Sequence, residues 1–399
     1  MKKFFYKLTA IIIAVILLLP ICLEVFGEEV TPILSTDEEN SFGIVEGSLN
    51  LNCKSAILME ATTGTILYSQ NAEEALPPAS VTKVMTLLLV MEAIDAGTIR
   101  IDDTVSVSAN AASMGGSQVY LKEGEQMSVE DLLKSVVIAS ANDAAVALAE
   151  YVSGSVEAFV AKMNAKAAEL GMTSTKFENV TGLDDTAEHH LTSAKDIALM
   201  SCALVAHPLV LEYSSIWMDS IRNGEFGLTN TNRLVRFYRG CTGLKTGSTS
   251  KAGFCVSATA ERDGLSLVCV IMGAESRDIR NAAATTLLDW GFANFAFYQA
   301  EGGESEPIPA KGSATREVTG SYPAFSCVVK REELSKIEKD ITLLTSITAP
   351  MAAGEKIGEV RYMCGDKVLG SVDICTEQEI GRIGFFEIFC QIFAKSLLI

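Results

Sequence analysis

Two apolar runs late in the first two thirds of the chain constrain the fold most. Gly253 to Ala260 and Leu265 to Met272 are strand-like, and Arg262-Asp263-Gly264 between them is a hairpin turn. The other clear strand signals of this region lie far upstream, at Ala56-Ile57-Leu58-Met59 and Gly64 to Tyr68. Helical spacing fills the interval: Val81 to Ile94, Leu132 to Tyr151, Val156 to Leu170 and Lys195 to Val205, with Thr285 to Phe295 following the hairpin. Strands at both ends of a unit predict one sheet assembled from N- and C-terminal segments, with a helical lobe inserted between them. The fold class expected is α/β in composition, of the mixed α+β kind.

Beyond residue 300 the pattern changes. Glu301 to Pro307 has a linker composition, and short strand-like pieces follow: Phe325 to Lys330, Ile341 to Ile347, Ile357 to Met363 and Val368 to Cys375. The expected organisation is a signal peptide over 1–27, a linker over 28–47, a main domain over 48–295, a small β-rich domain over 300–377 and a terminal helix over 378–399.

Both ends point to a membrane. Lys2, Lys3 and Lys7 precede an apolar run from Leu8 to Leu19, and Val25-Phe26-Gly27 offers small residues for cleavage. That is the arrangement of an exported chain. The run is short of the ~20 residues of a spanning helix. At the other end, Glu387, Gln391 and Lys395 recur every four residues and form one narrow polar stripe on a helix otherwise rich in Phe and Ile. Such a helix suits a membrane surface. The formal net charge of −18 would repel a polyanion, so nucleic-acid binding is not expected. Nine Cys remain after residue 27, an odd number, several inside apolar runs such as Phe254-Cys255-Val256. They read as buried free thiols. The three His, His189, His190 and His207, have no metal-binding spacing, and no cofactor or metal is expected.

The chemistry lies in three short motifs. Ser80-Val81-Thr82-Lys83 follows Pro77-Pro78 and opens an apolar helix, where residues three apart share a face and Lys83 can reach the Ser80 hydroxyl. A buried lysine at a helix N-terminus is pushed toward its neutral form and can take that proton. Ser140-Ala141-Asn142 interrupts two helical runs. Lys245-Thr246-Gly247 stands just ahead of a strand, where Lys245 and Gly247 point the same way and Gly247 permits close approach. Second copies of two motifs, Ser248 to Lys251 and Ser108 to Asn110, lack this context.

Together these residues resemble the three motifs of the penicillin-recognising serine enzymes. The flanks Pro78-Ala79-Ser80-Val81-Thr82-Lys83, Glu123-Gly124-Glu125-Gln126-Met127-Ser128, Ser140-Ala141-Asn142-Asp143-Ala144-Ala145 and Gly243-Leu244-Lys245-Thr246-Gly247-Ser248-Thr249 are similar to low-molecular-mass D-alanyl-D-alanine carboxypeptidases. The resemblance implies a β-lactamase/transpeptidase-like sheet with a helical lobe. It implies removal of the terminal D-alanine from peptidoglycan stem peptides at the outer face of the cytoplasmic membrane, and acylation by β-lactam antibiotics. Residue by residue, Ser80 is the implied nucleophile, Lys83 the base and Ser140 the proton relay. Asn142 would hydrogen-bond the peptide. Lys245 and Thr246 would hold its terminal carboxylate beside Gly247, and the backbone N–H groups of Ser80 and Ser248 would form the oxyanion hole. Glu178, in Phe177-Glu178-Asn179-Val180, lacks the Glu-x-x-Leu-Asn setting of a class A β-lactamase.

Overall fold

The computed structural model describes residues 45–46, 49–183, 187–386, 388–389 and 393. The expected signal peptide and nearly all of the 28–47 linker lie outside them, as does most of the chain beyond Phe386. The last part of that linker, Val45–Glu46, is a short strand.

The central sheet is built from both ends of the main unit. Strands β1 (Ser55–Glu60) and β2 (Ile66–Gln70) come from its start; β3 (Cys241–Thr249), β4 (Gly253–Arg262) and β5 (Leu265–Ala274) come from its end. The order across the sheet is Val45–Glu46, β2, β1, β5, β4, β3, so β1 and β5 join the two ends in the middle and β3 is an edge. Only the Val45–Glu46 pairing with β2 is parallel. Asp263 and Gly264 both take positive φ at the β4–β5 turn, which is what a tight hairpin of matching twist demands.

The helical lobe comprises α1 (Lys83–Asp95), α2 (Val129–Val137), α3 (Asn142–Ser153), α4 (Val156–Glu169) and α5 (Ala194–Val205). Every residue of α1 from Lys83 to Met91 is buried, so this helix runs through the lobe's centre. Its core is continuous with one face of the sheet, through Ile57, Met59, Val268 and Val270. The opposite face, through Leu58, Leu267 and Ile271, is covered by α6 (Arg277–Asn294). Each fully buried Leu or Ile contributes roughly 1.5–3 kcal/mol here. Sequence spacing placed the start of α6 at Thr285; it begins eight residues earlier, because the Ser276 hydroxyl caps it by accepting from Ile279 N–H.

The helix runs straight into β6 (Phe295–Ala300), which pairs with β7 (Phe325–Lys330). The segment read as a linker is therefore structured, with Gly303–Glu304 paired to Tyr322 and Ser321. The β-rich domain continues through β8 (Ile337–Leu343), β9 (Lys356–Cys364) and β10 (Lys367–Thr376) around its own core of Ile357, Val360, Tyr362 and Ile374. The strand expected over Ile341 to Ile347 starts earlier and stops at Leu343; Ile347–Thr348 pairs elsewhere, with Ala310 and Lys311. Cys202, Cys255 and Cys269 are buried thiols, and Cys53, Cys241, Cys327, Cys364 and Cys375 are free and half-buried. At the terminal helix, Phe385, Phe386, Ile388, Phe389 and Phe393 are exposed.

Candidate active site

Ser80 sits on a single 3-10 turn, Ala79–Thr82, rather than on the α-helix itself; α1 starts at Lys83. The turn is strained. Ala79 takes φ +50, which costs a non-glycine residue about 1–3 kcal/mol, and its neighbours must hold it. The Thr82 hydroxyl donates to Ala79 O at 2.8 Å, and His190 Nε2 lies 2.7 Å from that hydroxyl. His190 Nδ1 accepts from Glu178 N–H, so Nε2 carries the proton and donates to Thr82. Gly182, at φ +81, lies so close that a Cβ there would fall 1.8 Å from Ala79 O.

The turn brings Lys83 Nζ to 3.0 Å from Ser80 Oγ. The same ammonium position donates to Asn142 Oδ1 at 2.6 Å and to Thr181 O at 3.0 Å. Lys83 is fully buried. Burial first, then the Lys245 charge, holds its amine well below the ordinary lysine range, against an upward pull from Asp143. This is the state a proton acceptor requires.

The break between α2 and α3 presents the second motif. Ser140 is buried at φ +62, and the break is pinned by Ala141 N–H to Ser135 O and Asn142 N–H to Ser117 O. The Asp143 carboxylate accepts from the N–H groups of Val119, Leu121 and Ala144, tying the loop before α2 to the start of α3. Asn142 is buried. Both ends of its amide are engaged inside the protein, Oδ1 by Lys83 and Nδ2 by donation to Gly115 O. These contacts tie Asn142 to Lys83 and to the loop at Gly115. The duplicate motif is structural: Ser108 caps a short helix, and Ser108 and Asn110 both donate to Glu150.

Edge strand β3 forms the third wall. Gly247 packs on the Ser80 turn so tightly that a Cβ would meet Ser80 N at 2.7 Å and Val81 N at 2.9 Å. Lys245 is buried, with Nζ donating to Thr246 O. Burial, then the Arg280 charge, lowers it to about 7. The Thr246 hydroxyl donates to Thr231 Oγ1 at 2.9 Å.

These walls enclose a cleft of about 340 Å³ lined by Ser80, Ser140, Thr246, Gly247 and Ser248. The structure thus brings Ser80, Lys83, Ser140, Asn142, Lys245, Thr246, Gly247 and Ser248 to one place, with Lys83, Asn142 and Lys245 behind the lining. Sequence reasoning missed Thr231, Trp217, Arg233, Arg277 and Arg280, which also line it. Arg280 is buried, lowered to about 10 by burial and then by Arg277 one turn before it. Two arginines in the first turn of a helix oppose its dipole, a signal that was available once the helix start was known. Among the described residues, no cluster of His, Cys, Asp or Glu could hold a metal ion.

The profile of the peptidase family described as D-alanyl-D-alanine carboxypeptidase matches residues 43–276. The chain belongs to this family. A second profile, the C-terminal domain of penicillin-binding protein 5, matches residues 320–382. Among curated relatives, the D-alanyl-D-alanine carboxypeptidase DacF of Bacillus subtilis is 40% identical over 339 residues, covering 83% of this chain and 87% of that one. Penicillin-binding protein 5 of Haemophilus influenzae superposes with a TM-score of 0.73 at 28% identity, over 84% of this chain and 99% of that one. Penicillin-binding protein D2 of Listeria monocytogenes, solved in an ampicillin-bound form, has a TM-score of 0.57 at 33% identity, over 61% of this chain and 99% of that one. Family membership makes the chain a serine-type hydrolase with a transpeptidase-like fold and a β-rich C-terminal domain.

Proposed function

We propose that this chain removes the terminal D-alanine from peptidoglycan pentapeptides through an acyl-enzyme on Ser80, and that β-lactams acylate the same oxygen. The observation that carries this reading is the 3.0 Å contact between the Ser80 hydroxyl and a buried, easily deprotonated Lys83. In this reaction Lys83 Nζ takes the Ser80 proton as Oγ attacks the carbonyl between the two D-alanines. The developing oxyanion meets the N–H groups of Ser80 and Ser248, each donor worth roughly 3 kcal/mol. Asn142 and Thr181 O hold the lysine in line. Ser140 passes a proton to the departing amine and is reprotonated from Lys83, which is neutral again. Lys245, Thr246 and Arg280 supply positive charge and a hydroxyl for the terminal carboxylate. Water then attacks the ester carbonyl, giving its proton to the neutral Lys83, which returns it to Ser80 Oγ as the shortened peptide leaves. A β-lactam presents its ring carbonyl to the same attack.

The basic, apolar and small-residue succession over 1–27 supports export, and the exposed phenylalanines from Phe385 to Phe393 support contact with the outer face of the cytoplasmic membrane. The test is D-alanine release from a pentapeptide by the full chain and by its Ser80→Ala variant, with mass spectrometry of the penicillin adduct. Release and a Ser80-borne adduct in the parent, and neither in the variant, are expected. Acylation elsewhere, or undiminished release by the variant, overturns the assignment.

A further inference from the structure

The cleft carries more positive charge than one terminal carboxylate needs. Its lining holds Arg233, Arg277 and Arg280, and no acidic side chain among the described residues. This is unexpected in a chain with 50 acidic and 32 basic residues. Four arginines elsewhere are matched: Arg100 with Asp102, Arg222 with Glu125, Arg262 with Asp289 and Arg361 with Glu359.

Arg233 and its neighbour Arg236 are held differently. Arg233 stands 5.6 Å from the Phe237 ring centre, and Arg236 stands 5.6 Å from Phe237 and 5.5 Å from Trp217. The two rings meet edge-on at 6.2 Å. Phe237 is 65% exposed, a large apolar side chain left at the surface as a platform. Stacking occupies the guanidinium faces and leaves their edges, the N–H donors, available. Among the described residues, neither arginine has a carboxylate partner. Arg233 in the cleft lining, with Arg236 beside it over the same ring, is suited to bidentate capture of a carboxylate. The terminal carboxylate of the substrate is already served by Lys245, Thr246 and Arg280, so this pair addresses a second one.

Building on the carboxypeptidase reading, we infer that Arg233 and Arg236 are specificity-determining residues that select stem peptides bearing a side-chain carboxylate on the residue before D-Ala-D-Ala. Such a residue is diaminopimelate, which carries a carboxylate as well as an ammonium. Lysine at the same place presents only the ammonium, which the arginines repel.

The test compares L-Ala-γ-D-Glu-X-D-Ala-D-Ala with X as meso-diaminopimelate or lysine. The full chain and its Arg233→Gln/Arg236→Gln variant are assayed, and circular dichroism confirms that the variant folds. Both side chains are exposed. The parent should favour the diaminopimelate peptide by about tenfold in kcat/KM, mostly through KM, the worth of one partly solvated charge-assisted pair. The variant should bring that ratio to within about twofold of unity on the same basis. A parent without preference, or a variant that weakens both peptides equally, overturns the inference; the latter places the pair on the terminal carboxylate. Calorimetry with Ser80→Ala protein reads the same preference without turnover. Selective binding with no D-alanine release by the parent would uphold the arginine pair and overturn the carboxypeptidase reading alone.

Discussion

Gly247→Ala tests the oxyanion geometry more sharply than removal of any catalytic side chain. The new methyl carbon would lie 2.7 Å from Ser80 N and 2.9 Å from both Pro78 O and Val81 N. All three are backbone atoms, so no side chain can swing away. Ordinary contact begins at 3.4 Å, which requires β3 and the Ser80 turn to separate by about 0.7 Å. The Ser80 and Ser248 N–H groups belong to the two parts that move apart. Losing alignment of one oxyanion donor costs about 100- to 1,000-fold in the chemical step. The fold should lose only about 1–3 kcal/mol, the usual range for overpacking, because β3 is an edge strand. The assay is the second-order rate of acylation by a fluorescent penicillin, with thermal unfolding followed in parallel. We expect at least a hundredfold slower acylation by a folded protein. A folded variant acylated within threefold of the parent would falsify the argument that β3 and the Ser80 turn share the oxyanion site.

Three further outcomes follow from the same geometry. Lys245 titrates at about 7 in the fold and near 10.5 when exposed, so the unfolded chain binds more protons between those values. Its contribution to stability therefore rises with pH from about 7 to 10.5 and is least favourable below 7. Urea unfolding at pH 6, 8 and 9.5 should show a shallower rise in Lys245→Met than in the parent, and parallel curves would refute the burial cost. The Lys245 charge also helps hold Lys83 neutral, so Lys245→Gln should move the acid limb of penicillin acylation to higher pH; a limb that stays or moves down contradicts this coupling. Asp143→Asn replaces an acceptor of three backbone N–H groups and should cost about 1–3 kcal/mol, read as a lower midpoint in denaturant, an effect absent from the exposed control Asp340→Asn.

The Ser80–Lys83 contact was legible because it is local. Ser80 and Lys83 are three residues apart, and either a 3-10 or an α turn brings them onto one face, so the error in helix type left their contact intact. The sheet was legible for a different reason: β4 and β5 are apolar and closed by a turn, and they needed partners from the other end of the unit. Three features were not legible. The Gly115 loop that engages Asn142 has no pattern that predicts its fold over α3. Arg277 and Arg280 entered the cleft because α6 starts at Arg277, eight residues before the start expected at Thr285. Arg233 and Arg236 depend on Trp217, which is distant in sequence and arrives only through packing.

The junction of α6 with β6 also has a mechanical meaning. One end of this 18-residue helix, about 27 Å long, presents Arg277 and Arg280 to the cleft. The other end passes without slack into β6, and is clamped there by Arg331, whose Nε donates to Phe292 O and whose N–H donates to Asn294 O. Trp290 and Phe295 meet edge-on across the joint at 5.4 Å. A pull on the β-rich domain is therefore not absorbed by a flexible tether. It travels along a rod whose far tip carries two of the charges that line the cleft, so the β-rich domain and the cleft share one structural member.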